Sequence, residues 1–209
     1  MKRRLVFLMV PFLFVIVFCI IVPVKAEQGV TGKTIKVGFV GPLSGPAAIV
    51  GINGVEGIRL YFKHLNDTGG IHGRKLTLVV EDDGYHPARH LAGVKKMLYR
   101  DKVFCFAGNT GTPCIPASIP LIEKEKVPVV APIATRSKPF IPFERYFFFM
   151  ALQYDVQARL MVDYIMKDIK AVQPKIAFIG QNDSLGKMGL IGVKESGSTR
   201  ISVKSAKFC

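Results

Sequence analysis

The sequence has no tryptophan and few cysteines, four among 209 residues. It also lacks internal repeats, runs of like charge and any cysteine or histidine spacing typical of a zinc finger. These absences exclude a repeat protein and a zinc-stabilised module. The remaining composition is that of a globular protein, because 49% hydrophobic residues can build a sizeable core.

The net charge of +14 raises the question of nucleic-acid binding. Four of the 29 basic residues lie within the first 26 positions; the other 25 face 15 acidic residues, a net charge of +10. These basic residues are scattered singly, without the basic run and interleaved aromatics of a nucleic-acid surface. We therefore expect a solvated surface and no nucleic-acid partner.

Residues 1–26 have the parts of a secretory signal peptide. A basic start precedes an almost wholly apolar stretch at 5–24, and Val24 and Ala26 suit the −3 and −1 positions of a cleavage site. The sequence thus predicts export, cleavage after Ala26 and no stable membrane insertion afterwards. The alternative is an uncleaved anchor, because the stretch approaches the roughly 20 residues that span a bilayer.

Three cysteines lie beyond this segment, namely Cys105, Cys114 and Cys209. Cys105 and Cys114 could form a disulfide in an oxidising compartment if the loop between them folds back. The alternative is a pair of buried thiols. It is favoured slightly, because Cys105 lies inside a predicted apolar strand.

Short apolar runs alternate with segments whose apolar residues recur every three or four positions, which predicts alternating strands and amphipathic helices. Strands or extended segments are predicted at 35–40, 76–80, 103–107, 127–131, 145–150 and 175–180. Helices are predicted at 52–65, 87–98 and 155–169, from the loop at 110–112 to about 124, and from about 185 onward. The alternation indicates an α/β protein with a parallel sheet, whose ligands bind beyond the carboxyl ends of the strands.

Nucleotide-binding and catalytic motifs are absent. The tripeptide Gly32-Lys33-Thr34 resembles the end of a phosphate-binding loop, but it precedes a strand instead of following one. No glycine-rich dinucleotide fingerprint follows the first strand, and Ser44 lacks the glycine of a nucleophile elbow, because Pro42 takes that place. We therefore expect no enzyme activity and no cofactor.

Two polar clusters have simpler interpretations than a site. His86 and His90 have the spacing of a metal-binding pair, but Pro87 makes His86 a helix cap, so the two would not share a helical face. A structural or surface role is predicted for both. The carboxylates at 81–83 end a strand, where turn-forming and capping roles are favoured and a catalytic or cation site is the alternative.

Several motifs at the ends of the predicted elements together identify a family. They are IKVGFVGPLSGP at 35–46, NDTGGIHGRK at 66–75, EDDGYHP at 81–87, VPVVAP at 127–132 and QNDSLG at 181–186. Over about residues 30–195, the chain resembles the periplasmic binding proteins of branched-chain amino-acid ABC importers, which have the type I binding-protein fold.

The resemblance implies a two-lobed protein whose lobes close on a small solute. It assigns 27–148 to a nearly complete first lobe with a Rossmann-like parallel sheet, and 149–195 to the start of a partial second lobe. In the family, the first lobe holds the α-carboxylate of an amino acid with small hydroxyl side chains and with backbone N–H groups at helix starts. For each threonine the alternative is a helix cap or a turn. The residues implied to bind the ligand are Thr110, Gly111, Thr112, Ala134, Thr135 and Tyr154.

Two features depart from the family pattern. Arg136 stands where the family usually has a small residue, and its guanidinium could pair with a second carboxylate of the ligand or point outward. The chain is also about half as long as family members, and residues 196–209 become rich in serine and lysine without a helical period. We interpret this segment as an atypical tail produced by a truncation or a frameshift.

The resemblance implies the extracytoplasmic, periplasmic solute-binding component of an ABC importer. Such a component captures branched-chain or related amino acids and delivers them to a membrane permease, with energy from partner ATPase subunits. Because affinity comes from closure of both lobes, we expect a chain with a partial second lobe to bind weakly or not at all. A ligand-binding sensor of the same fold and a non-functional fragment are the alternatives.

Overall fold

The computed structural model describes residues 27–134, 144–170 and 176–196, and the backbone of residues 203–207. The predicted signal peptide, and with it cleavage after Ala26, lies outside the described residues. Within them, a five-stranded sheet and a two-stranded sheet are formed.

Strands and helices alternate along the described residues, as the sequence predicts. The strands are β1 Thr34–Gly41, β2 Lys75–Asp82, β3 Cys105–Ala107, β4 Val129–Val130, β5 Phe147–Phe148, β6 Ile176–Gly180 and β7 Val203–Lys207. The α-helices are α1 Ala48–Asp67, α2 Pro87–Lys96, α3 Ile119–Glu125, α4 Tyr154–Lys167 and α5 Ser184–Glu195. No helix in this part of the chain is long and apolar enough to cross a bilayer.

The larger sheet confirms the predicted parallel architecture. Its strand order is β2-β1-β3-β4-β5, and every neighbouring pair runs parallel. The longest pairing joins β1 to β2, from Thr34 opposite Lys75 to Gly41 opposite Asp82. Because parallel strands end at the same edge of a sheet, the loops that follow β1, β2, β3 and β4 lie together.

Prolines explain why the helix predicted to run from the loop at 110–112 is much shorter. The chain instead forms a 3₁₀ turn at Ile115–Ala117 and then α3, and each begins with a proline in its first turn, Pro116 and Pro120. A proline inside a continuous helix would remove a hydrogen bond and clash with the preceding turn. The segment is therefore broken into two short helical pieces.

The hydrophobic core forms where α2 packs on the five-stranded sheet. Val40, Phe106 and Val129 from adjacent strands, Val94 from the helix and Met97 from the turn directly after it are all fully buried. Complete burial of a side chain of this size stabilises the fold by roughly 1.5–3 kcal/mol. These contacts position β1 and β3, whose loops enter the candidate site.

Within the segment at 196–209, the described residues 203–207 form strand β7. β7 pairs in parallel with β6 from Ile176 opposite Val203 to Gly180 opposite Lys207. A strand–helix–strand unit thus continues past the point where the sequence composition changes. The sequence reasoning predicted no strand there.

Close packing of α1 on the loop after β1 generates a stability prediction. A Cβ atom at Gly51 would overlap the carbonyl group of Pro42, whereas a Cβ atom at Gly57 of the same helix meets nothing within 4 Å. We expect Gly51→Ala to lower the free energy of unfolding by about 1–3 kcal/mol through overpacking. Gly57→Ala, the matched control, should raise it by up to about 1 kcal/mol, because alanine favours helix. Urea unfolding measures both, and equal effects would contradict the close approach.

Candidate functional site

A cleft of about 250 Å³ lies beyond the carboxyl ends of the larger sheet's strands. Loops that follow β1, β2, β3 and β4 supply one side, and residues at the start of α4 and before and within α5 supply the other. The lining combines aliphatic side chains with hydroxyl and amide groups, as is usual for small-molecule sites, and no charged side chain of the described residues is part of it. The lining residues are Pro46, Ala47, Ile49, Val50, Tyr85, Thr110, Gly111, Thr112, Ile133, Tyr154, Gln181 and Leu185.

The loop after β1 is held in place by the carboxylate of Asp82. Its Oδ1 accepts hydrogen bonds from the backbone N–H groups of Leu43 at 2.8 Å, Ser44 at 3.2 Å and Gly84 at 2.9 Å, and its Oδ2 accepts one from the Ser44 hydroxyl at 2.6 Å. Burial opposes the charge of Asp82, but these bonds outweigh it and lower the pKa of the carboxyl to about 2. The predicted turn-forming role is confirmed for Asp82.

The N–H groups of Thr110 and Gly111 and the hydroxyl of Thr110 donate hydrogen bonds to backbone carbonyl groups of the protein. The Thr110 N–H donates to the carbonyl of Val40 at 3.1 Å, and its hydroxyl donates to the carbonyl of Gly108 at 2.9 Å. The Gly111 N–H donates to the carbonyl of Ile133 at 3.2 Å. A ligand could therefore use the hydroxyl oxygen of Thr110 as an acceptor, but neither N–H group is free to bind it.

Thr112 is the member of this loop with free donors. It lines the cleft, is 5% exposed, and makes no hydrogen bond through its N–H or hydroxyl group within the described residues. The expected helix start at this loop is wrong, because α3 begins only at Ile119. A helix macrodipole, which acts within its own first turn, is thus not available to the threonines.

The other residues implied by the resemblance have different locations. Tyr154 is the first residue of α4 and lines the cleft. Ala134 is 4% exposed and packs in the core, while the preceding Ile133 lines the cleft. Thr135, like Arg136, lies outside the described residues.

Several lining residues were missed by the sequence reasoning. Val50, Tyr85, Gln181 and Leu185 follow β1, β2 or β6, so the rule that ligands bind beyond strand ends could have found them. Nothing in their spacing distinguishes a loop residue that faces the cleft from one that faces solvent. Gln181 lies close against the start of α5, since a Cβ atom at Gly186 would overlap its carbonyl group.

Tyr85 lies in a tight turn between β2 and α2. The N–H of His86 donates to the carbonyl of Asp83 at 3.0 Å, and both central residues have positive φ, 56° for Gly84 and 63° for Tyr85. Glycine adopts this region freely, but a tyrosine there is uncommon and strained. The turn therefore needs support from its surroundings.

Burial keeps the hydroxyl of Tyr85 protonated well above neutral pH. Burial raises the pKa of Tyr85 to about 12, and the nearby negative charge of Asp183 adds to this shift. Asp183 caps α5, since its Oδ1 accepts a hydrogen bond from the Gly186 N–H at 3.1 Å. Tyr85 thus offers the cleft an uncharged group that can both donate and accept.

The structural role predicted for His90 is confirmed. His90 and Asp83 are both completely buried, and Nδ1 of the imidazole lies 2.7 Å from Oδ2 of the carboxylate. His86 occupies the N-cap position of α2 without a capping hydrogen bond from its side chain. The two histidines therefore do not form a metal-binding pair.

Cys105 and Cys114 are not joined by a disulfide, as the favoured interpretation predicts, but only Cys114 is buried and Cys105 is half-buried. Cys114 is fully buried next to the cleft, where an added Cβ on Gly111 would come within 3.1 Å of its sulfur. Burial raises the pKa of Cys114 to about 12, with smaller contributions from the carboxylates of Asp83 and Asp183. Burial alone raises the pKa of Cys105 to about 11.

Comparison with known families agrees with this geometry. The family model described as periplasmic binding protein matches residues 34–199. This range includes strands β1 to β6 and all the residues that line the cleft. The chain belongs to the periplasmic binding protein family, and its fold is the type I fold of that family.

Individual relatives narrow the comparison. The leucine-specific-binding protein of Salmonella typhimurium is 28% identical over 166 residues, which are 79% of this chain and 44% of that protein. An amino acid binding protein of Pseudomonas aeruginosa is 26% identical over 175 residues, 83% of this chain and 46% of that protein. The chain thus spans about half the length of the curated relatives it matches.

Solved structures show the same relationship. A branched-chain amino acid transporter substrate binding protein from Streptococcus pneumoniae, in complex with isoleucine, has a TM-score of 0.75 and 25% identity, and the match covers 84% of this chain and 50% of that one. A fatty acid ABC transporter substrate-binding protein from Thermomonospora curvata has a TM-score of 0.76 and 26% identity, with coverage of 88% and 46%. Similar folds thus carry ligands of different chemistry.

The hydrogen bonds of Asp82 predict how stability depends on pH. Its folded pKa of about 2 lies below the ordinary aspartate value of 3.8, so its contribution to stability is complete above pH 4 and is lost as the pH falls towards 2. We expect Asp82→Asn to lower the free energy of unfolding by about 1–2 kcal/mol at pH 7, with a smaller difference at pH 3.

Urea unfolding across this pH range measures the effect. Asp163→Asn is the matched control, because Asp163 pairs with Lys167 of its own helix at 3.1 Å and its side chain is 36% exposed. Such surface pairs contribute about 0–1 kcal/mol. An Asp82→Asn difference that stays constant from pH 7 to pH 3 would contradict the role of the carboxylate charge.

The raised pKa of Cys114 predicts low thiol reactivity. At pH 8 the thiol stays protonated, and only the thiolate attacks an alkylating reagent. We expect iodoacetamide to label Cys114 far more slowly in the native chain than in urea, as followed by peptide mass spectrometry. Equal labelling rates in the two states would show that Cys114 is not buried.

Proposed function

We propose that this chain is an extracytoplasmic solute-binding component of an ABC importer, which captures branched-chain or related amino acids. The observation that carries the proposal is the presence of two chemistries in the lining of the cleft. The lining includes the hydroxyl-bearing residues Thr110, Thr112 and Tyr85 and the aliphatic residues Ile49 and Val50. An amino acid with a branched aliphatic side chain presents the same two chemistries.

Thr112 is the proposed contact for the ligand's carboxylate. Its N–H and hydroxyl groups have no partner within the described residues, and both are donors. A carboxylate that accepts hydrogen bonds from both would satisfy them and would itself gain charge-assisted bonds. Thr110 and Tyr154 complete the proposed site, with Gly111 allowing close approach of the ligand to the backbone. Ala134 would support the site from the core, and Thr135 is proposed as a further contact.

The proposed role is binding and delivery, not catalysis. Relatives are named for leucine, for amino acids and for binding, and transport in this scheme uses energy from separate ATPase subunits. We propose a membrane permease and those subunits as partners, at the outer side of the cytoplasmic membrane. The similar structure named for a fatty acid makes the solute class a matter for experiment.

Chemical-shift titration of ¹⁵N-labelled protein with leucine tests the proposal, because it detects millimolar affinity and maps the residues involved. These 209 residues supply one wall of the cleft and part of the other, so we expect weak binding, with shifts centred on the loop at 110–112 and on Tyr85. Aspartate and decanoate serve as comparison ligands. A larger response to decanoate would reassign the solute class, and no response at the cleft to any of the three would refute the proposed function.

A threonine substitution tests the carboxylate contact directly. Thr112→Val keeps the shape of the side chain but removes the hydroxyl, and we expect leucine affinity to fall about tenfold, since a hydrogen bond to a charged group contributes about 1.5–3 kcal/mol. Thr77→Val is the matched control, because Thr77 is exposed on β2 and its hydroxyl reaches only the carbonyl of Ile35 at 3.3 Å. Equal affinities of the two variants would exclude Thr112 as the contact.

A further inference from the structure

His90 is a fully buried polar side chain with a single hydrogen-bond partner. Its Nδ1 contacts Asp83, whereas its Nε2 is buried without any partner in the residues that the structure describes. A leucine of similar size would fill this position without burying a polar atom. The contact with Asp83 therefore explains why a histidine occupies this buried position.

A metal site does not explain this pair. No group of three or more histidine, cysteine, aspartate or glutamate side chains in the described residues could hold an ion. The 2.7 Å separation of Nδ1 and Oδ2 fits the tautomer in which Nδ1–H donates, since an ionised carboxylate only accepts hydrogen bonds. The pair is thus an oriented hydrogen bond inside the protein.

Asp83 uses all its polar groups to define the turn that follows β2. Its N–H donates to the carbonyl of Gly41 at 3.1 Å, and its carbonyl accepts from the N–H of His86 at 3.0 Å. The second carboxylate oxygen, Oδ1, accepts from the N–H of Tyr85 at 2.8 Å. One oxygen of the carboxylate is therefore held by His90, and the other holds the backbone of Tyr85.

Tyr85, whose backbone Asp83 holds, has a strained backbone conformation. Tyr85 has a φ of 63°, which a tyrosine keeps only when surrounding contacts demand it. Strain of this kind is found at ligand-binding positions, and Tyr85 lines the cleft. Release of the turn would let Tyr85 return to a common conformation and move its ring.

We propose that the Asp83–His90 pair is a positioning element that keeps the ring of Tyr85 in the cleft. His90 does not contact the solute; it orients Asp83, which fixes the backbone of Tyr85. This inference deepens the proposed function, since it assigns to two buried residues the shape of one wall of the cleft.

The absence of tryptophan from the sequence allows a direct test. In Tyr85→Trp the single indole reports the environment at position 85, through its emission maximum and its quenching by acrylamide. Adding His90→Leu should shift the emission to longer wavelength and increase quenching, while circular dichroism shows a folded protein. His90→Gln, whose amide can still donate to Asp83, should restore much of the protection.

His86→Leu is the matched control, because it removes an exposed histidine from the same turn, and we expect it to leave the emission unchanged. A folded His90→Leu variant with unchanged emission and quenching would overturn the proposal. If His90→Leu does not fold, the comparison rests on His90→Gln. An emission maximum and acrylamide quenching like those of Tyr85→Trp alone would support the hydrogen bond to Asp83. Emission at longer wavelength with stronger quenching would overturn the proposal.

These measurements use no solute, so they stand whether or not the proposed function is correct. Leucine titration of His90→Leu in the chain that retains Tyr85 then tests the consequence for binding. We expect its affinity to fall to that of Tyr85→Ala. An unchanged affinity, in a chain whose parent binds leucine, would overturn the link between the pair and the solute while leaving the proposed function intact.

Discussion

The parallel pairing of β1 with β2 is the constraint on which the cleft depends. Its register brings Gly41 opposite Asp82, so both strands end at the same level and their loops start side by side. Asp82 can then reach across to the loop after β1 and accept three hydrogen bonds from it. A shift of one residue in this register would turn that carboxylate to the opposite face of the sheet.

Two neighbouring carboxylates at this edge of the sheet stabilise two different loops. Asp82 is partly exposed and binds the loop after β1, whereas Asp83 is completely buried and binds the turn that carries Tyr85. Buried polar groups are costly unless they are hydrogen-bonded, and the carboxylate of Asp83 has the Tyr85 N–H and the imidazole of His90 as partners. The acidic end of β2 is therefore structural, yet it decides the shape of the cleft.

Family membership and ligand choice rest on different parts of the chain. The family is shown by the match over residues 34–199, and proteins similar to this chain are named for leucine and for a fatty acid. The solute is decided by a few lining side chains and by the rest of the binding surface. The described residues supply hydroxyl groups and an aliphatic wall, and this combination supports an amino acid with an apolar side chain.

The sequence by itself determined the alternation of strands and helices, the parallel sheet and the family, because apolar periodicity and turn motifs are local properties of the chain. It also pointed to Thr110, Gly111, Thr112 and Tyr154, which the structure brings into the cleft. Only the tertiary structure decided that the N–H group of Thr110 donates to strand β1 and that the N–H group of Gly111 donates to the loop after β4. It also decided that Ala134 lies in the core. Hydrogen bonds and contacts between residues distant in sequence depend on register and packing, which no local pattern contains.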